Sequence, residues 1–152
     1  MNNQRGAALV IVLGVIMMLM IFGSVLAAQT TQTQKQLETT ERHIDARNIA
    51  RMGQVKAQTA VKRVCKRYMS SNGTLEVSKL EEIKSNIIKD LKNVEDRIKE
   101  AVELDKGRSY KVTNFNYGWE SNSLKVNIVS EGKSFNMSAT ENDEFTIELT
   151  AK

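Results

Sequence analysis

The chain has 152 residues and a net charge of +4, with one cysteine, one histidine and no proline. A single Cys65 excludes an internal disulfide, and the absence of proline excludes a Pro-rich linker and any proline kink. His43 and Cys65 fall far apart on one expected helix, so neither a catalytic dyad nor an N/S metal site can be built within one chain; a non-enzymatic protein without cofactor or metal is expected.

The first element is an uncharged run from Ala7 to Ala28, preceded by Arg5 and Gly6. As a helix rising about 1.5 Å per residue it is roughly 33 Å long, enough to cross a bilayer's hydrocarbon core. A cleaved secretory signal has a shorter apolar stretch, of about 7 to 15 residues. Arg5 is the only charge before the run, so the positive-inside rule places the N-terminus in the cytoplasm and everything after Gln29 outside. The residues alone also fit a plain single-span anchor, or a cleaved signal in which Val25 and Ala27 form the small-residue site. Gly14 and Gly23 either allow close helix contact or are the ordinary glycines of a membrane helix.

Gln29 to Gln36 is polar but holds no strong turn former. Beyond it Leu37, Ile44, Ile49, Ala57, Val61, Val64 and Tyr68 recur at helical spacing, so one helix is expected to continue as an amphipathic half over 29–70 and to end in the turn cluster Ser70 to Gly73. This stretch carries the basic excess, about +6 from Gln29 to Ser70. Arg47, Arg51, Lys62 and Lys66 are its candidates for contact with DNA phosphates or a partner. The other reading is a solvated face that pairs with acids of the second helix or a neighbouring subunit, or meets anionic lipid. No interleaved aromatics support strand stacking.

A second helix is expected over 78–105. Ser78 and Glu81 make a capping-box pattern, Leu80, Ile83, Ile87, Leu91, Val94, Ile98 and Val102 form the stripe, and Gly107 sits where a C-terminal cap belongs. The period then changes to two. Tyr110 to Val112, Leu124 to Ile128, Phe135 to Ala139 and Phe145 to Leu149 alternate, with turns expected at Gly118, at Glu131 with Gly132, and at Glu141 to Asp143. The resulting sheet, over 109–150, is a four-stranded antiparallel meander with one face covered by the two helices, in an α+β fold whose head spans 71–152. Gly132, Lys133 and Ser134 spell the end of a phosphate loop, but Asn127 stands at the earlier glycine position and the context is a strand hairpin.

A short segment ending in Arg5 and Gly6, an apolar helix directly after it, an amphipathic continuation and an antiparallel sheet resemble the type IV pilin and pseudopilin superfamily. The run RGAALVIVL is most similar to PilX-type minor pilins. The resemblance implies that residues 1–6 are a leader removed by a prepilin peptidase between Gly6 and Ala7, and that Ala7 becomes a methylated N-terminus. It further implies that the helix Ala7 to Ala28, with Ile11, Gly14 and Gly23, packs in a filament core against other pilin subunits supplied by a pilus assembly machinery. The chain departs from the family at Ala7, where Phe is usual, and at Ile11, where most members carry Glu. That carboxylate is thought to pair with a neighbour's N-terminal amine, so a chain with Ile11 suits a filament tip or assembly initiation. The expected location is the cytoplasmic membrane and then the cell surface, in a type IV pilus, competence pilus or type II secretion pseudopilus. A reading from another class is a membrane-tethered extracellular module for DNA or an envelope polymer that does not polymerise.

Overall fold

A computed structural model describes residues 3–71 and 79–149, with side chains over 8–69 and 79–149. The start of the expected leader, the turn residues Asn72 and Gly73, and Ser78 of the capping box lie outside the described residues. The element order is α1 (Asn3–Ser71), α2 (Leu80–Lys99), β1 (Val102–Asp105), β2 (Arg108–Glu120), β3 (Ser123–Ser134) and β4 (Met137–Glu148). The expected α+β architecture is therefore present. The chain divides into two compact units, Met1–Glu41 and Arg42–Lys152.

The first unit is helix alone. Its apolar side chains from Leu9 to Leu26 are all exposed, and the segment is long and apolar enough to cross a membrane. The polar stretch that follows does not break the helix. The hydroxyls of Thr30, Thr31, Thr33, Thr39 and Thr40 each donate to a carbonyl four residues earlier, which satisfies them within the helix.

In the second unit the four strands form one antiparallel sheet in the order β1-β2-β3-β4. One face is buried. Ala57, Val61, Val64 and Cys65 of α1 and Ile83, Ile87, Leu91 and Ile98 of α2 pack with Val112, Phe115, Leu124, Val126 and Ile128 of β2 and β3. Fully burying a side chain such as Leu91 or Ile87 stabilises by about 1.5–3 kcal/mol. The opposite face is polar, with Lys111, Lys125, Lys133, Thr140, Asn142, Glu144 and Glu148 all exposed.

The strands are longer than their alternation suggests, and three of the expected turns fall inside them. Gly118 lies within β2, Glu131 and Gly132 within β3, and Glu141 to Asp143 within β4. The real turns are Ser121–Asn122 and Phe135–Asn136, with Ser121 at φ 55 and Phe135 at φ 54. Left-handed backbone favours Gly, Asn or Asp, so these turns carry no glycine signal. Phe135, 61% exposed, is held there by its N–H donating to Gly107 O at 2.6 Å and by the Arg42 guanidinium 5.3 Å from its ring centroid. A register shift between Val112 and Asn114 breaks the alternation of β2, while Tyr110, Val112, Phe115, Tyr117 and Trp119 stay on the inner face.

The second helix stops at Lys99, short of the expected 105. Glu100 turns extended at φ −61, ψ 131, and its N–H bonds to Asp96 O at 3.0 Å. Val102 keeps helical spacing from Ile98 but is the first residue of β1, paired with Tyr110. Gly107, at φ 81, turns β1 into β2 instead of capping the helix.

One contact brings α1 onto the sheet backbone to backbone. A Cβ on Gly132 would overlap Ala46 O and Ala50 N and lie 3.0 Å from Ala50 Cα, and a Cβ on Gly53 would overlap Ser130 Oγ. At Gly118 a Cβ meets nothing within 4 Å. Gly132→Ala should therefore cost about 3 kcal/mol, because overpacking here must move the backbone. Gly118→Ala should stay within about 0.5 kcal/mol. Denaturant melts of the full chain in neutral detergent, followed by the single Trp119, test this. Equal midpoints for the two variants would show that the helix does not sit so close.

Candidate functional site

The expected functional residues fall into two groups. Ile11, Gly14, Gly23 and Ala28 lie on the exposed surface of the apolar part of α1. Ile11 is 66% exposed, and a Cβ at Gly14 or Gly23 would meet nothing within 4 Å. Neither glycine is required by packing among the described residues. Gly6 and Ala7 are in the first turns of the same helix, and their surroundings lie outside the described side chains.

The second group is the basic part of α1. Arg47 and Arg51 converge on Glu141 of β4, Arg47 in a direct ion pair and Arg51 with its Nε at 3.9 Å. Glu141 is only 18% exposed. One residue pair further along β4, Gln58 donates its amide to Asp143. The two acids that resemble a charged turn are thus inward-facing strand residues opposite the polar edge of α1. The next acid, Glu144, points to the other face of the strand, and among the described residues no cluster of His, Cys, Asp or Glu can hold a metal. Lys62 and Lys66 are exposed and make no ion pair with a described residue. The structure therefore separates the four cations: two engage the sheet and two face solvent.

A polar cluster not foreseen in the sequence lies beside the close contact. Arg108 of β2 donates to Asp45 through Nε at 2.9 Å and Nη2 at 2.5 Å, and Ser134 Oγ donates to Asp45 at 2.7 Å. The bidentate fork fixes α1 in register on β2 and β3. Asp45 is one of three acids, with Glu38 and Glu41, in the basic stretch, and nothing in the sequence singles it out. The Arg108 hydrogen bonds, and then that of Ser134, hold its carboxyl below the usual range.

His43 is exposed and Cys65 is 2% exposed. Burial pushes the Cys65 thiol up to about 11, and the side chain packs in the core as a small hydrophobe. Comparison with protein-family models, with curated proteins and with solved structures finds no match.

The sign of the Asp45 shift sets an expected pH dependence. A carboxyl lowered on folding adds stability that is present above its unfolded value, about 3.9, and is lost as pH falls through the folded value. Asp45→Asn should melt at a lower temperature than the parent at pH 7 and decline less steeply below about pH 4. Glu95, lowered first by Lys99, contributes an acid-side loss common to both proteins. Parallel curves of melting temperature against pH would show that Asp45 carries none of it.

Proposed function

We propose that the chain is a structural subunit, a minor pilin or pseudopilin, held in the cytoplasmic membrane and passed to an extracellular filament or its tip. The observation that carries this reading is the bare apolar segment of α1, whose side chains have no cover among the described residues, in a helix that runs on into the second unit. An uncovered apolar surface of this size requires lipid or like helices.

On this reading the apolar helix does the work. It crosses the membrane with its N-terminus inside, is trimmed between Gly6 and Ala7 by a prepilin peptidase, and packs against the helices of other subunits. Gly14 and Gly23 allow close approach there because no described residue fills the space. Ile11 offers no charge to recruit a neighbour's amine, so the subunit is expected at an end of the filament and in few copies. The second reading, a tethered binding module, is favoured by one feature only, the exposed cations of α1, and it predicts a chain that stays dispersed in the membrane.

Two measurements separate these readings. Mass spectrometry of the membrane-extracted protein should find Ala7 at the mature N-terminus, and Gly6→Ala should leave the leader in place; an N-terminus at Ala28 or Gln29 would sink the proposal. Immunogold labelling should place the subunit at filament ends, with Ile11→Glu extending the label along the shaft. Gold along the whole length with the native Ile11 would remove the tip assignment while leaving the pilin reading intact.

A further inference from the structure

Within the second unit, α1 and α2 leave a groove of about 520 Å³. Its floor is apolar, formed by Ala60, Val64, Val94 and Ile98, and its rim is cationic, formed by Lys56, Arg63, Arg67 and Arg97, with Glu100 the one acid in the lining. The cations sit there by spacing. Positions 56, 60, 63 and 67 of α1 recur every three or four residues, along the border of the stripe that carries Ala57, Val61 and Val64 into the core. Arg63 and Arg97 make no ion pair with a described residue. Arg67 is shared with Asp90 at 3.3 Å, and Lys56 lies over the Tyr110 ring, 5.5 Å from its centroid. A second hollow, of about 600 Å³, shares Arg97 and Glu100 with the first and adds Asp96, Lys111 and Lys99, the last paired with Glu95.

We infer that this groove docks an acidic amphipathic segment of a partner protein, with carboxylates on Arg63 and Arg97 and apolar side chains on the half-buried Ala60 and Val94. Both halves of the surface are then used. Carboxylates pair with guanidinium forks in two-pronged fashion, and the apolar floor is removed from water. The two adjoining hollows favour an extended occupant, since a compact anion fills only one. A phosphodiester strand fits less well: it would leave the apolar floor wet, and no aromatic ring lines the groove for a base to stack on. The inference does not depend on whether the chain polymerises.

The test uses the full chain in neutral detergent, where filaments are absent, and a fluorescent synthetic peptide with Glu and Leu at helical three- and four-residue spacing. Binding should be saturable and should weaken about tenfold or more in Arg63→Glu with Arg97→Glu, as expected for reversing desolvated charge partners. Lys106→Glu with Lys133→Glu, which changes the same net charge at exposed positions outside both hollows, should leave it unchanged. A poly-Glu peptide should bind more weakly than the Glu/Leu peptide. Trp119 fluorescence melts report whether each variant is folded, and Arg63→Gln with Arg97→Gln replaces the charge reversal if that fails to fold. The proposal is overturned by equal loss in the two variant pairs, by poly-Glu or a DNA duplex binding as tightly as the Glu/Leu peptide, or by no saturable binding.

Discussion

The close approach of α1 to β3 is the constraint on which the second unit depends. Ala46, Ala50 and Gly53 on the helix meet Ser130, Gly132 and Ser134 on the strand, and side chains this small let the two backbones come together with almost nothing between them. Dispersion is strongest at such short range, but larger residues cannot enter. The same strand then changes character. Its other half, Leu124, Val126 and Ile128, is large and apolar, and there residues of both helices share the core. A gradient of side-chain size along one strand thus decides where one helix covers the sheet and where two do.

Polar groups follow from that geometry. Where α1 lies against the sheet, the residues at the rim of the contact meet their partners across a short gap. Asp45 reaches Arg108 and Ser134 on one side, and Arg47, Arg51 and Gln58 reach Glu141 and Asp143 of β4 on the other. Exposed ion pairs of this kind contribute little individually, about 0–1 kcal/mol, so their main effect is to set register. Inward acids on β4 have a second consequence. They make the outermost strand unattractive as a template for further strands, a recognised means of blocking edge-to-edge association.

The architecture was legible where the period is long and regular. The stripe of α1, the stripe of α2 from Leu80 to Ile98 and the change to period two after Gly107 all lead to the fold observed. Strand boundaries were not, for identifiable reasons. Glu141 and Asp143 read as a turn because their partners, Arg47 at 94 residues and Gln58 at 85, are brought opposite only by folding. Gly132 reads as a turn glycine because its real cause, the backbone of Ala46 and Ala50, is equally remote. Ser121 and Phe135 adopt turn conformations that their residue types disfavour. Val102 continues the helical spacing of α2, and only pairing with Tyr110 makes it a strand. For the candidate site, the sequence shows that the helix is basic. It does not show which cations the sheet consumes.

That last distinction carries the functional argument for the second unit. A basic helix on its own points to any polyanion, since charge without geometry specifies nothing. Folding sorts the cations by direction. Those facing β4 are matched by Glu141, and Arg67 is matched by Asp90 of α2. Arg63 and Arg97, contributed by different helices, are left beside an apolar floor. The density of charge is therefore lower than the composition suggests, and its specificity higher. A flat cationic face answers to lipid or nucleic acid alike, whereas cations at the border of a hydrophobic groove favour a ligand with both kinds of surface in the matching order.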